Sequence, residues 1–213
     1  MTGVTESPAL LLEITDTTAI LRFNRPAERN ALSIATLQEL DSSLFQIVTR
    51  QHIKAIIFTG TADVFASGAN IRELTELDQE SAREFSNFGQ RLFQRIADAR
   101  QVTVAAINGY CMGGALDLAL ACDLRVASSK AVFAHPGARL GIITGWGGTQ
   151  RLPRIIGRTR ALEFFITARR LTSSEALELG LVSRVADPVL DCALESARTA
   201  SDVSPPSGFT IPT

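Results

Sequence analysis

Short apolar runs alternate with amphipathic stretches along most of this chain. ALLLEI and AILRFN, within residues 9–24, are separated by Thr15-Asp16-Thr17-Thr18 and predict a hairpin. Leu37, Leu40, Leu44, Ile47 and Val48 recur at helical spacing behind Ser33, so a helix over 34–50 with Ser33 as its N-cap is expected. IKAIIFT, residues 53–59, predicts a buried strand ending at Gly60, and Phe85, Phe88, Leu92 and Ile96 mark one face of a helix over 80–99. Val102, Val104 and Ile107 predict a strand, Asn108-Gly109 a turn, and ALDLALA a helix beginning at Gly113-Gly114. LRVAS and AVFA follow as strands. HPGARLGIITGWGGTQRLPRIIG is expected to be a long glycine-rich loop with Arg151 and Arg154 nearby. Beyond it come a helix over 159–167, a capping box from Thr172 to Glu175, and a closing strand in LVSRVAD. Strands that alternate with helices in this way predict an α/β chain.

Two stretches share one geometry. ADVFASGANIREL and VTVAAINGYCMGGALDLALACD each run from strand through small residues into helix. Backbone N–H groups at a helix start are free and lie at the positive end of the dipole, where an oxyanion is welcome. Asp117 is three residues past Gly114 and rises on nearly the same helical face, and Gly114 is expected to leave room for a ligand to touch the main chain. Glycine pairs also serve as plain tight connections, and a first-turn acid is favourable without any chemistry. Both readings stand on the residues alone.

The 213 residues suit one domain over 1–200, with a proline- and serine-rich tail, 201–213, expected to be disordered. Hydrophobic residues make up 46% and charged ones 20%, at a net charge of -1, which argues against nucleic-acid binding. The start, MTGVTESPALLLEI, lacks the basic-then-apolar order of a signal peptide, and no apolar run reaches membrane-spanning length. A soluble, cytoplasmic protein is expected. Cys111, Cys122 and Cys192 form no C-x-x-C pair, so reduced and mostly buried thiols are expected; with only His52 and His135, no zinc site is. Arg22, Arg25 and Arg29 form a basic loop, either solvated or facing a phosphate. GWGG belongs to neither G-x-G-x-x-G nor G-x-x-x-x-G-K-[ST].

As an ordered set, NRPAERNALS, FASGANIREL, AAINGYCMGGALDLALACDLRVAS and GIITGWGGTQRLPRIIG resemble the enoyl-CoA hydratase/isomerase, or crotonase, family, over nearly all of residues 10–187. The resemblance implies a spiral of ββα units, acyl-CoA thioesters as ligands, no cofactor beyond that CoA, and a homotrimer or hexamer. It implies that the N–H groups of Ala69 and Gly114 hold the thioester oxygen. Ser67, Gly68, Ala69, Asn70, Ile71, Arg72 and Gly114, with Arg25, are then the CoA- and substrate-binding set, Arg25 and Arg72 lying near the phosphates. Enoyl-CoA hydratases usually carry two glutamates. Asp117 falls at the first of these positions, one methylene shorter, and Gly137 at the second, so a single carboxylate is left for proton transfer. The family's C-terminal helical region is expected to be shortened. His135, beside the vacant position, is read as a bystander or a substitute base, and Cys111 as structural.

Overall fold

In the computed structural model of the chain, residues 8–202 are described, and the rest of the proline- and serine-rich tail lies outside them. The hairpin forms as β1 (Leu10–Thr15) and β2 (Thr18–Phe23), turning at Asp16. The helix α1 (Ile34–Val48) starts at Ser33, whose side chain accepts the Thr36 N–H. Three units then repeat one path: β3 (Ala55–Thr59), β4 (Val64–Ala66), then helices α2 (Ile71–Thr75) and α3 (Gln79–Ala97); β5 (Val102–Ile107), β6 (Tyr110–Met112), then α4 (Gly114–Ala121); β7 (Leu124–Ala127), β8 (Val132–Ala134), then α5 (Gly148–Ile156). Helix α6 (Arg158–Thr167), β9 (Arg170–Thr172), α7 (Ser173–Glu178), β10 (Arg184–Val185) and α8 (Val189–Asp202) complete the order.

Within each unit the first strand joins one sheet and the second strand another. The larger sheet runs β1-β2-β3-β5-β7-β10 and the smaller β4-β6-β8-β9. β2, β3, β5, β7 and β10 are parallel, as are β4, β6 and β8, so each unit advances the chain by one strand in both sheets. This is the ββα spiral. The Asn108-Gly109 turn is where the central unit crosses between sheets, and Asn108 Oδ1 accepts the Gly60 N–H at 2.9 Å, tying that crossing to the preceding one.

All five residues of β3 are buried, because both faces of the larger sheet are covered. Ile56, Phe58, Ala105 and Ile107 face the main core with α1, α3 and α4, while Ile57, Val104 and Val126 on the opposite face meet Val189, Ala193 and Ala197 of α8. α8 went unread in the sequence, although its buried positions recur at helical spacing. The expected 135–157 loop needs a second correction: only its first part is irregular. Residues 148–156 are helical despite Pro153, because Leu152 and Ile156 gain full burial from that geometry. Among the described residues, no helix is long and apolar enough to cross a membrane.

Candidate active site

The two small-residue turns meet. Gly68 has φ +89°, a conformation that favours glycine, and a Cβ there would lie 2.6 Å from the Met112 carbonyl oxygen and 3.0 Å from the Gly114 nitrogen. The main chain after β4 therefore lies directly against the main chain entering α4. Further hydrogen bonds hold the arrangement. The Leu32 N–H donates to Gly68 O at 2.8 Å, the Ser67 N–H to Arg29 O at 3.1 Å, and the Gly113 N–H to Ala134 O at 2.9 Å. Among the described residues, neither the Ala69 nor the Gly114 N–H donates to a protein acceptor. Gly114 opens the eight-residue α4, so its N–H carries the positive end of the helix dipole.

The basic loop belongs to the same construction. Asn30, which sequence reasoning passed over, is 1% exposed; its Oδ1 accepts the Arg25 N–H at 2.8 Å and its Nδ2 donates to Val64 O at 2.9 Å. Arg25 is thereby fixed beside β4, half-buried. Asn70 caps α2 by accepting the Arg72 N–H at 3.1 Å, so its side chain is committed to the helix. Ile71 and Arg72 are exposed on the first turn of α2. Ser67, Gly68, Ala69 and Gly114 are thus brought together, with Arg25 held alongside through Asn30.

The side-chain half is built around Asp117, which is 1% exposed. Thr144 Oγ1 donates a hydrogen bond to its Oδ2. Its Oδ1 faces His135 Nε2 at 3.5 Å, and among the described residues neither atom has a hydrogen-bond partner. Gly148 is packed so closely that a Cβ there would overlap Oδ1. His135 is 6% exposed and meets Phe165 edge-on at 5.4 Å, so the imidazole is a packed, buried neighbour of the carboxylate, which fits a packed bystander and a substitute base alike. At Gly137, where the resemblance implied a missing carboxylate, the chain is closed. A Cβ there would lie 2.6 Å from Ile142 O, and the Ile142 N–H donates to Gly137 O at 3.0 Å. The Cys111 thiol is pushed well above its ordinary range, first by burial and then by the Asp117 charge, which leaves it a packed and unreactive group.

Trp146 is the largest surprise. Its ring fills the space over Gly114 where room for a ligand was expected, and a Cβ on either Gly89 or Gly114 would overlap it. Phe85 and Phe93 of α3 meet the indole edge-on at 5.2 and 5.4 Å. The glycine at 114 is therefore needed by a tryptophan from the third unit, and its N–H edge is what remains for a ligand. The glycines around Trp146 in GWGG were the available signal. A cavity of about 810 Å³ is lined by Gln90, Gln94, Thr144, Trp146, Arg151 and Arg154; none of Ala69, Gly114, Asp117 or His135 lines it, but Thr144 and Trp146 adjoin Asp117 and Gly114.

Known proteins share this plan. The family model described as enoyl-CoA hydratase/isomerase matches residues 13–206. The short-chain-enoyl-CoA hydratase of Clostridium acetobutylicum is 38% identical over 180 residues, covering 84% of this chain and 69% of that protein. The crotonyl-CoA hydratase of Syntrophomonas wolfei is 38% identical with the same coverage, so the chain spans about two thirds of these relatives' length. The crystal structure of enoyl-CoA hydratase from Bacillus anthracis superposes with a TM-score of 0.86 at 35% identity, covering 90% of this chain and 76% of that one. With its paired sheets, its converging turns and a family match over most of its length, the chain belongs to the enoyl-CoA hydratase/isomerase family of enzymes.

Proposed function

We propose that this protein acts on acyl-CoA thioesters, stabilising a thioester enolate between the N–H groups of Ala69 and Gly114 while Asp117 transfers a proton. The observation that carries the reading is the contact of the Gly68 turn with the Gly114 nitrogen, beside two N–H donors without protein acceptors among the described residues. Attack on an enoyl thioester, or deprotonation beside one, throws charge onto the carbonyl oxygen, and preorganised donors there are worth about 3 to 4 kcal/mol each. One carboxylate contributes roughly 10²- to 10⁴-fold by general acid–base catalysis. The relatives named for short-chain and crotonyl substrates favour a short 2-enoyl-CoA. No cofactor enters beyond the CoA of the substrate, and the assembly is a cytoplasmic homotrimer or hexamer, checked by light scattering.

The test assays purified protein on crotonyl-CoA, a 3-enoyl-CoA and malonyl-type thioesters, with Asp117→Asn alongside. Turnover that falls by roughly 10² or more in the variant supports the reading; full activity of the variant on every substrate defeats it. A second reading is a CoA-thioester-binding protein without turnover. The Ile142 carbonyl seated where a side chain at 137 would begin favours it. Calorimetry with acyl-CoA analogues separates the two, since tight binding with no turnover across the panel selects the second.

A further inference from the structure

We propose that His135 is the second proton-transfer group of this site, supplying from an imidazole edge what position 137 lacks. This rests on the reading of Asp117 as the carboxylate of the reaction. The imidazole and the carboxylate are both buried, and the two atoms that face each other at 3.5 Å, Nε2 and Oδ1, have no other partner among the described residues. A buried polar atom without a partner costs about 1–3 kcal/mol, so a pair left this way is stable chiefly through its mutual attraction.

The other ring nitrogen carries the inference further. A Cβ on Gly137 would lie 3.5 Å from His135 Nδ1, so the imidazole faces the ground from which a second carboxylate would have projected. The ring is also tied to the oxyanion turn. His135 directly follows Ala134, whose carbonyl accepts the Gly113 N–H at 2.9 Å, and Met112 pairs with Ala134 across the smaller sheet. Phe165 of α6 holds the ring from the side. Among the described residues the charged group against the imidazole is Asp117, and Arg151 of α5 is near enough to Asp117 to be affected by its charge.

For hydration of a 2-enoyl thioester the two groups divide the work. As the water oxygen bonds to the β-carbon, one water O–H bond breaks and its proton passes to the Asp117 carboxylate. The π pair moves onto the thioester oxygen beneath the two N–H groups. When that enolate collapses, the imidazolium gives its Nδ1 proton to the α-carbon. The carboxyl then loses its proton to solvent and the imidazole takes one up, so atoms and charge balance with no further reactant.

The experiment compares the wild type with His135→Gln, which keeps a donor but cannot carry a proton. Crotonyl-CoA hydration is expected to lose roughly 10²-fold in kcat with KM little changed, and the high-pH limb of the wild-type rate profile should be absent from that of the variant. Wild-type kcat in the variant, or a slower variant that keeps the same high-pH limb, overturns the proposal. A measurement on unaltered protein guards against a variant that fails to fold. The chain has two histidines, His52 and His135, so imidazole nitrogen signals are readily assigned by NMR. Acetoacetyl-CoA, as a probe that presents an enolisable thioester, should move the His135 signals and leave exposed His52 unmoved. Binding that leaves His135 unmoved overturns the proposal alone, whereas no binding at all removes the site reading and the proposal with it.

Discussion

The two halves of the site are made of different material. The Ala69–Gly114 half is main chain, its two turns each hydrogen-bonded to a neighbouring segment, and its side chains are small because backbone must touch backbone. The Asp117–His135 half is side chain, closed in by Thr144, Gly148 and Phe165. A main-chain half tolerates many side chains so long as φ and ψ are kept. A side-chain half can exchange one acid or base for another only where the surrounding packing leaves a path. In this chain the main-chain half is held by backbone hydrogen bonds, whereas in the side-chain half Gly137 is sealed by the Ile142 carbonyl with an imidazole at its edge.

The sharpest way to break the main-chain half is to remove what supports it from outside. Trp146 is wedged between Gly89 and Gly114 and nearly fully buried. Trp146→Ala is expected to cost about 3–5 kcal/mol in urea unfolding, the usual range for a buried large-to-small change. It should also weaken acyl-CoA binding, because the Gly114 turn loses its wall. A variant as stable as the parent would mean that the indole merely rests on the turn.

Next in size is Gly68→Ala. The residue sits at φ +89°, and a Cβ would approach Met112 O to 2.6 Å. Backbone strain of this kind costs about 1–3 kcal/mol. Activity should fall further than stability does, since the shift needed to relieve the overlap moves Ala69 away from Gly114. Equal losses in thermal stability and kcat would deny the turn any special place.

Gly137→Glu probes the other half. Placing a second carboxylate at this position is expected to fail, because the new Cβ meets the Ile142 carbonyl, and overpacking of this kind costs about 1–3 kcal/mol. Crotonyl-CoA hydration should not rise above the wild-type rate. A large gain would show that the 140–143 loop yields freely and that the vacancy is real.

How much of this was legible before the fold follows the same division. The two strand-to-helix turns could be read because they rest on local signals: apolar strands, then small residues, then a helix start, twice over. The hairpin, the Ser33 cap and the Thr172–Glu175 capping box are local in the same sense, and each is found as expected. What escaped depends on contact between distant segments. His135 and Asp117 are 18 positions apart, Thr144 and Asp117 are 27, and nothing in either neighbourhood announces the pairing. Trp146 fell within the expected glycine-rich loop, whereas its ring is admitted by Gly89 and Gly114 from distant segments, and its neighbour Gly148 makes room for the Asp117 carboxylate. α5 was hidden by Pro153, and α8 gains its stability from the sheet face it covers.

The smallest expected effect sharpens the comparison most. If Ala69 contributes only its N–H, then Ala69→Ser, which adds one oxygen to a partly buried side chain at a position of ordinary backbone, should leave kcat and KM close to wild type. Surface and half-buried substitutions of this kind typically change stability by less than about 0.5 kcal/mol. The corresponding small change on the other side, Asp117→Asn, alters as few atoms and is expected to remove most of the activity. Two near-isosteric substitutions with opposite outcomes, measured in one assay, would place the chemistry in a backbone amide on one side and in a carboxylate on the other. A marked loss in Ala69→Ser would instead mean that the side chain at 69 shapes the oxyanion position, and that the main-chain half is less tolerant than its geometry implies.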